Sequence, residues 1–211
     1  MLYMIHTGTF WGAPDTTVNF CESKYNRFYF IAEYYNTLSA GCYMMVGLLT
    51  FFFTRLKFLG KIVFLIGLGT MLLHATLRHW AQMCDEISLL LLSFYTIVEL
   101  NPLTPMYIIY PLLICYILFS NNFAMFFFIF TIMQIVIAKY IKKTINNKNR
   151  KWIILYTVSF IAGSICWILD QICGKYGIDL LKDYQFHAWW HLLTATACGF
   201  GIIILHIGGR G

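Results

Sequence analysis

Long runs of apolar residues, separated by short polar or charged clusters, organise this chain. They fall at about 29–53, 60–78, 87–100, 105–119, 123–141, 152–172 and 186–208. A helix needs about 20 residues to cross a bilayer. In lipid each run must be helical, because its backbone polar groups can only be satisfied internally. Runs three and four are shorter, at about 21–23 Å of helical rise. They read as thin helices or as a re-entrant hairpin, and removing both leaves the same parity. The pattern therefore predicts an all-α, polytopic membrane protein. It forms one domain over 1–211, a seven-transmembrane-helix bundle at 29–208 preceded by an N-terminal segment at 1–28.

Composition agrees. Hydrophobic residues make up 60% of the chain and charged ones only 11%, against about 45–50% apolar in soluble domains. Mean hydropathy is +0.69. Spans and short loops use the whole length, leaving no room for a separate soluble domain. The net charge of +6 does not point to nucleic acid, because the bases sit between apolar runs and so set orientation. With the N-terminus outside, the inner side collects Arg55, Lys57, Lys61, Lys139, Lys142, Lys143, Lys148, Arg150, Lys151 and Arg210 against Glu99 alone. The outer side holds Lys24, Arg27, Arg78, Lys175 and Lys182 with Asp15, Glu22, Glu33, Asp85, Glu86, Asp170, Asp179 and Asp183. This bias puts the N-terminus in the lumen and the C-terminus in the cytosol. Met1–Phe10 lacks a basic leader and a clean apolar core, so the first span is expected to act as its own insertion signal. Thr144–Lys151 reads as a cytosolic loop and Gly208–Gly211 as a frayed tail. The seven cysteines contain no CxxC pair, which argues against a thiolate metal site.

The sharpest local signal is His187-Ala-Trp-Trp-His191. Histidines at i and i+4 share one helical face about a turn apart, a spacing that suits one metal ion. The pair opens run seven at the outer face. His74 near the outer end of run two, Asp85 and Glu86 at the start of run three, and Asp170 near the outer end of run six lie in the same layer. Three neutral imidazoles leave zinc its full charge and one open position, and such an ion acidifies bound water. The resulting nucleophile suits an amide or ester carbonyl. Asp85 is placed to take the water's proton and pass it to the leaving amine; the alternative is that it orients a histidine. Thr70, four residues before His74 on the same face, can donate to a developing oxyanion. Glu86 is expected to face water or cap run three. His79 reads as interfacial, His6 and His206 as incidental, and Glu99 as a helix-end residue.

These residues fall in blocks that resemble the alkaline ceramidases, part of a wider superfamily of seven-helix membrane hydrolases that includes the adiponectin receptors. The blocks are Trp11-Gly12 through Cys21-Glu22, Tyr29 to Thr37, Gly67 to Leu77 with Asp85-Glu86, Trp167 to Gln171, and Phe186 to Thr194. The resemblance implies zinc on His74, His187 and His191, Asp85 as proton shuttle, and Thr70 where the family carries a serine. It implies hydrolysis of the N-acyl amide bond of ceramides in an endoplasmic reticulum or Golgi membrane.

The resemblance also implies a calcium site in the N-terminal segment. Here Glu22 and Glu33 match, but Asn19 stands where an aspartate is usual and Lys24 where an asparagine is usual. A lysine cannot ligate a hard cation, so Lys24 is expected to replace the ion and pair with Glu22 and Glu33. Cys21 and Cys173 both lie at the outer face in an oxidising compartment, where a disulfide between them is expected. The competing readings are a non-catalytic lipid receptor with structural zinc, and a bis-histidine haem carrier.

Overall fold

The structure, a computed structural model, describes residues 10–143 and 149–208. His6, most of the Thr144–Lys151 loop and the last three residues of the tail lie outside the described residues. The described chain folds into α1 (Tyr34–Ser39), α2 (Gly41–Phe53), α3 (Lys57–Thr76), α4 (His79–Leu100), α5 (Ile109–Leu118), α6 (Phe123–Lys143), α7 (Arg150–Tyr176), α8 (Asp179–Lys182) and α9 (Phe186–Gly208). A 3-10 turn at Met106–Ile108 leads into α5. Among the described residues there is no β-strand, only an isolated bridge between Phe28 and Ile31.

Among the described residues, five stretches are long and apolar enough to cross a membrane: Tyr34–Phe53, Lys57–Thr76, Phe123–Lys143, Arg150–Tyr176 and Leu180–Gly208. Their outward faces carry bare Leu48, Phe52, Phe53, Ile135, Val158 and Ile161, as lipid rather than water requires. Two element boundaries differ from the sequence expectation. Run three, expected at 87–100, is the apolar part of the 22-residue α4. At about 33 Å this helix is neither thin nor a hairpin. Gln82, Asp85 and Glu86 had broken its hydropathy, although they sit inside the helix. Run one, expected from 29, becomes helical only at Tyr34. The amides of Ala32 and Glu33 donate instead to Ala75 O and His74 O, both at 2.9 Å. They satisfy carbonyls that the end of α3 would otherwise leave bare.

In the bundle, α3 packs between α2 and α4, α9 between α7 and α2, and α6 on α4. The α2–α3 crossing is close because it is built on glycine. A Cβ on Gly47 would lie 2.5 Å from Phe64 N, and one on Gly60 would lie 2.7 Å from Phe51 N. Small residues that let backbones meet are the usual glue between membrane helices. One apolar cluster joins α2, α3 and α9 through Tyr43, Val63, Ile66 and Ala195. A second joins α4, α5 and α6 through Leu90, Phe94, Tyr116 and Met133.

The N-terminal segment closes one end of the bundle. The α3–α4 turn reverses through Leu77 in the left-handed region, at φ +53°. Asp15 pins this turn: its amide donates to Leu77 O at 3.1 Å, and its carboxylate lies 2.9 Å from Arg78. A disulfide joins Cys21 to Cys173 near the end of α7, with their Cα atoms 5.3 Å apart.

Candidate metal centre

α3 and α9 bring their histidines together under this cover. His74 lies in the last turn of α3, and His187 and His191 in the first two turns of α9. Ring centroids are 4.8 Å apart for His74–His187, 5.0 Å for His74–His191 and 4.6 Å for His187–His191. One ligand nitrogen from each falls within 4.8 Å of the others, and all three residues are buried. Rings this close leave no room for a porphyrin between any two, which removes the haem reading.

Two of the rings are held by hydrogen bonds at Nδ1, and the third has a carboxylate nearby. His74 Nδ1 lies 2.6 Å from Glu33 Oε2, and His191 Nδ1 lies 2.8 Å from Ser39 Oγ. His187 Nδ1 lies 3.2 Å from Asp170 Oδ2, close but not aligned for a directed hydrogen bond. With Nδ1 of His74 and His191 engaged in this way, Nε2 is the nitrogen these two have left to bind a metal. His74 Nε2 is buried and has no hydrogen-bond partner, a costly state for a polar atom and one that a metal ion would relieve. The donor set therefore fits an ion such as zinc. The ring of Phe20 covers the cluster, with centroids 4.6 Å from His74 and 4.5 Å from His187.

Thr70 and Asp85 face the same space. Thr70 Oγ1 lies 2.5 Å from Asp85 Oδ1 and 2.8 Å from Ile66 O. Gly69 makes this approach feasible, since a Cβ there would lie 2.8 Å from Asp85 N. Asp85, Thr70 and the three histidines form the polar end of a cavity of about 340 Å³. Gln82, Glu86, Thr131, Gln134 and Ser164 add polar groups to its wall, and the rest is apolar, mainly Phe123, Phe126, Phe127, Phe130, Trp167 and Trp190. A smaller cavity continues it past Gln134 toward Leu100, Ile141 and Leu205. Such a space suits a long hydrocarbon chain with its polar head at the histidines.

Not every candidate belongs to this centre. Glu86 does not face water or cap a helix. It is buried, accepting from Gln82 Nε2 at 2.7 Å and Tyr116 Oη at 2.7 Å. Gln82 Oε1 in turn accepts from Thr17 N, so Glu86 ties α4 and α5 to the N-terminal segment. His79 holds Ser120 O at 3.1 Å and is not one of the clustered histidines. Glu99 pairs with Arg55 on the surface. Sequence reasoning missed Ser39 and Phe20. The polar positions Asn36, Thr37 and Ser39 inside an apolar run were the available signal, because a polar group within a membrane helix needs a partner.

The N-terminal carboxylates divide. Both oxygens of Glu22 accept backbone amides at the start of α1, from Tyr35 at 2.8 Å and Asn36 at 2.9 Å. Burial still raises its pKa above the ordinary carboxylate value, against the lowering effect of those amides. Glu33 is fully buried. Burial alone would raise its pKa, but the Lys24 ammonium and the His74 ring more than offset that and hold it well below the usual range. Lys24 thus pairs with Glu33 but not, as expected, with Glu22. Asn19 spends its amide nitrogen on Gly174 O at 2.9 Å.

Residues 12–208 match the model of the Ceramidase family. The chain is 28% identical over 207 residues to an alkaline ceramidase of Arabidopsis thaliana, covering 89% of this chain and 81% of that protein. It is 27% identical over 218 residues to alkaline ceramidase 1 of Mus musculus, covering 90% and 79% respectively. To alkaline ceramidase YPC1 of Saccharomyces cerevisiae it is 23% identical over 244 residues, covering 92% and 77%.

Proposed function

The chain belongs to the ceramidase family, and from that premise we propose that it is a zinc-dependent membrane hydrolase of the N-acyl amide bond of ceramides, releasing a sphingoid base and a free fatty acid. The observation that carries this reading is the buried triad of His74, His187 and His191 at the polar end of an apolar cavity. Zinc held there would supply Lewis acidity toward a carbonyl and toward water.

The chain's own residues supply the rest. Glu33 and Ser39 fix two of the rings from behind, and Asp170 faces the third. Phe20 and the segment around it keep bulk water from the outer side. Asp85 takes the proton of the attacking water and delivers it to the nitrogen as the C–N bond breaks. Thr70 donates to Asp85 and so holds the carboxylate facing the cavity. That geometry gives Thr70 a more immediate partner than an oxyanion, to which it would donate only after releasing Asp85. The aromatic walls take the hydrocarbon tails.

The same reading includes seven spans, with Tyr34–Phe53, α3, α4, the Met106–Leu118 helix, α6, α7 and α9 as the crossings. It places the N-terminus in the lumen of the endoplasmic reticulum or Golgi. The Cys21–Cys173 disulfide on the N-terminal side supports this, since such bonds persist in oxidising compartments. So does the excess of bases on the opposite side.

The test is turnover of fluorescent ceramides by the purified, detergent-solubilised chain, with zinc content measured alongside. Wild type is run beside His187→Ala and Asp85→Ala. Turnover lost in both, with zinc lost mainly from His187→Ala, is the expected result. Bound zinc with no turnover on any ceramide would replace this reading with a non-catalytic lipid receptor.

A further inference from the structure

The ceramidase resemblance implies a calcium ion in the N-terminal segment, and the residues present do not fit one. A calcium ion takes six to eight oxygens, typically several of them carboxylate. Here both oxygens of Glu22 are occupied by the amides of Tyr35 and Asn36. The side chain of Asn19 is turned to Gly174 O. Of the two glutamates, Glu33 alone has an oxygen not taken by a backbone amide and turned toward a cation, and that oxygen carries the Lys24 ammonium. The same ammonium also donates to Phe20 O at 2.8 Å.

We propose that Lys24 is a built-in cation, tethered where an ion would otherwise sit, that positions His74 through Glu33 and makes this protein independent of calcium. The chain of contacts is continuous. Lys24 Nζ binds Glu33 Oε1, Glu33 Oε2 lies 2.6 Å from His74 Nδ1, and Asn36 Nδ2 donates to the same Oε2 at 3.0 Å. Lys24 also fixes the backbone of Phe20, whose ring lies on His74 and His187. One ammonium therefore holds a carboxylate behind the triad and the aromatic cover in front of it. A compact charge with three donors on a flexible stem can do this. Glu33 is completely buried, and a buried carboxylate stripped of its cation is strongly destabilising. Lys24 is a positioning residue, because its effect on His74 passes through Glu33.

The role assigned to His74 rests on the proposed zinc reading, so the experiment carries arms that do not depend on it. Wild type, Lys24→Met and Lys24→Asn are prepared in calcium-free buffer and titrated with calcium chloride. Thermal unfolding, bound calcium, zinc retention against a chelator and ceramide turnover are followed. Wild type is expected to bind no calcium and to show no shift in Tm. Lys24→Met is expected to lose zinc more readily, by up to the roughly 10–100-fold that removing a direct partner of a metal ligand costs, with no recovery on adding calcium. Lys24→Asn, which restores an oxygen, is expected to recover Tm and zinc retention as calcium is added. Calcium binding by wild type, or a Tm rise with calcium, overturns the proposal. So does a Lys24→Met protein with wild-type Tm and zinc retention. If the variants do not fold, the wild-type calcium titration alone decides. Absence of zinc or turnover in wild type would defeat the functional reading and leave the calcium arms standing.

Discussion

Glu33 holds His74 twice: its backbone amide donates to His74 O at 2.9 Å, and its Oε2 lies 2.6 Å from His74 Nδ1. The first contact ends α3 and the second fixes a ring on it. Glu33→Ala removes the second contact and leaves Lys24 without its partner. On the zinc reading, zinc affinity is expected to fall about 10–100-fold. Asp170→Asn is expected to cost less, because its contact with His187 is 3.2 Å and unaligned. Competition with a zinc chelator measures both. Equal loss in the two variants would show that alignment of the outer carboxylate is not what matters.

The Thr70–Asp85 contact at 2.5 Å makes a different prediction, in which metal content stays fixed. Asp85→Asn keeps the shape but cannot take a proton, and is expected to lower turnover about 10²–10⁴-fold with zinc unchanged. Thr70→Val removes a hydrogen bond to a carboxylate, worth about 1.5–3 kcal/mol, and is expected to lower turnover by one to two orders of magnitude. Thr70→Ser is expected to stay near wild type. A Thr70→Val enzyme with full activity would leave Asp85 to be held by some other group.

Much of this arrangement was legible in the sequence. The i, i+4 spacing of His187 and His191, with His74 at the same predicted depth, is a local pattern reinforced by topology. What was not legible depended on tertiary contacts. Glu86 has the same local surroundings as Asp85, yet it turns to Gln82 and Tyr116, and nothing in the chain order announces Tyr116. The start of α1 was misplaced because residues 29–33 are apolar enough for a span, while Ala32 and Glu33 are spent on the carbonyls of α3. Lys24 was expected to meet two carboxylates and meets one, because the amides at the start of α1 had already engaged Glu22.

Gly69 sets the distance between α3 and α4 at the reactive end. A methyl group there would fall 2.8 Å from Asp85 N and 2.9 Å from Asp85 Cα, both backbone atoms that cannot rotate away. Gly69→Ala is therefore expected to destabilise the fold by about 1–3 kcal/mol, as overpacking does, and to pull Asp85 from Thr70. Gly41→Ala is the control for space alone, because a Cβ there meets nothing within 4 Å. Thermal unfolding and turnover compared across the two variants check this. An unchanged Tm and turnover in Gly69→Ala would mean that α4 can shift without cost.

The Cys21–Cys173 disulfide ties the cover of the site to the end of α7. Cys21 N also donates to Asp170 Oδ1 at 3.1 Å, so the link lies directly behind the carboxylate facing His187. Reduction should therefore do more than loosen a terminus. Phe20, next in the chain, would lose part of its hold over His74 and His187, and Asp170 would lose a fixed donor. Mild reduction is expected to lower Tm and to speed zinc release, with Cys21 and Cys173 becoming alkylatable together. Cys21→Ser is expected to reproduce the effect without reductant, which separates it from reduction of any other bond. Zinc release unchanged by either treatment would mean that Lys24 and Asp15 suffice to hold the cover, and the disulfide would then serve stability alone.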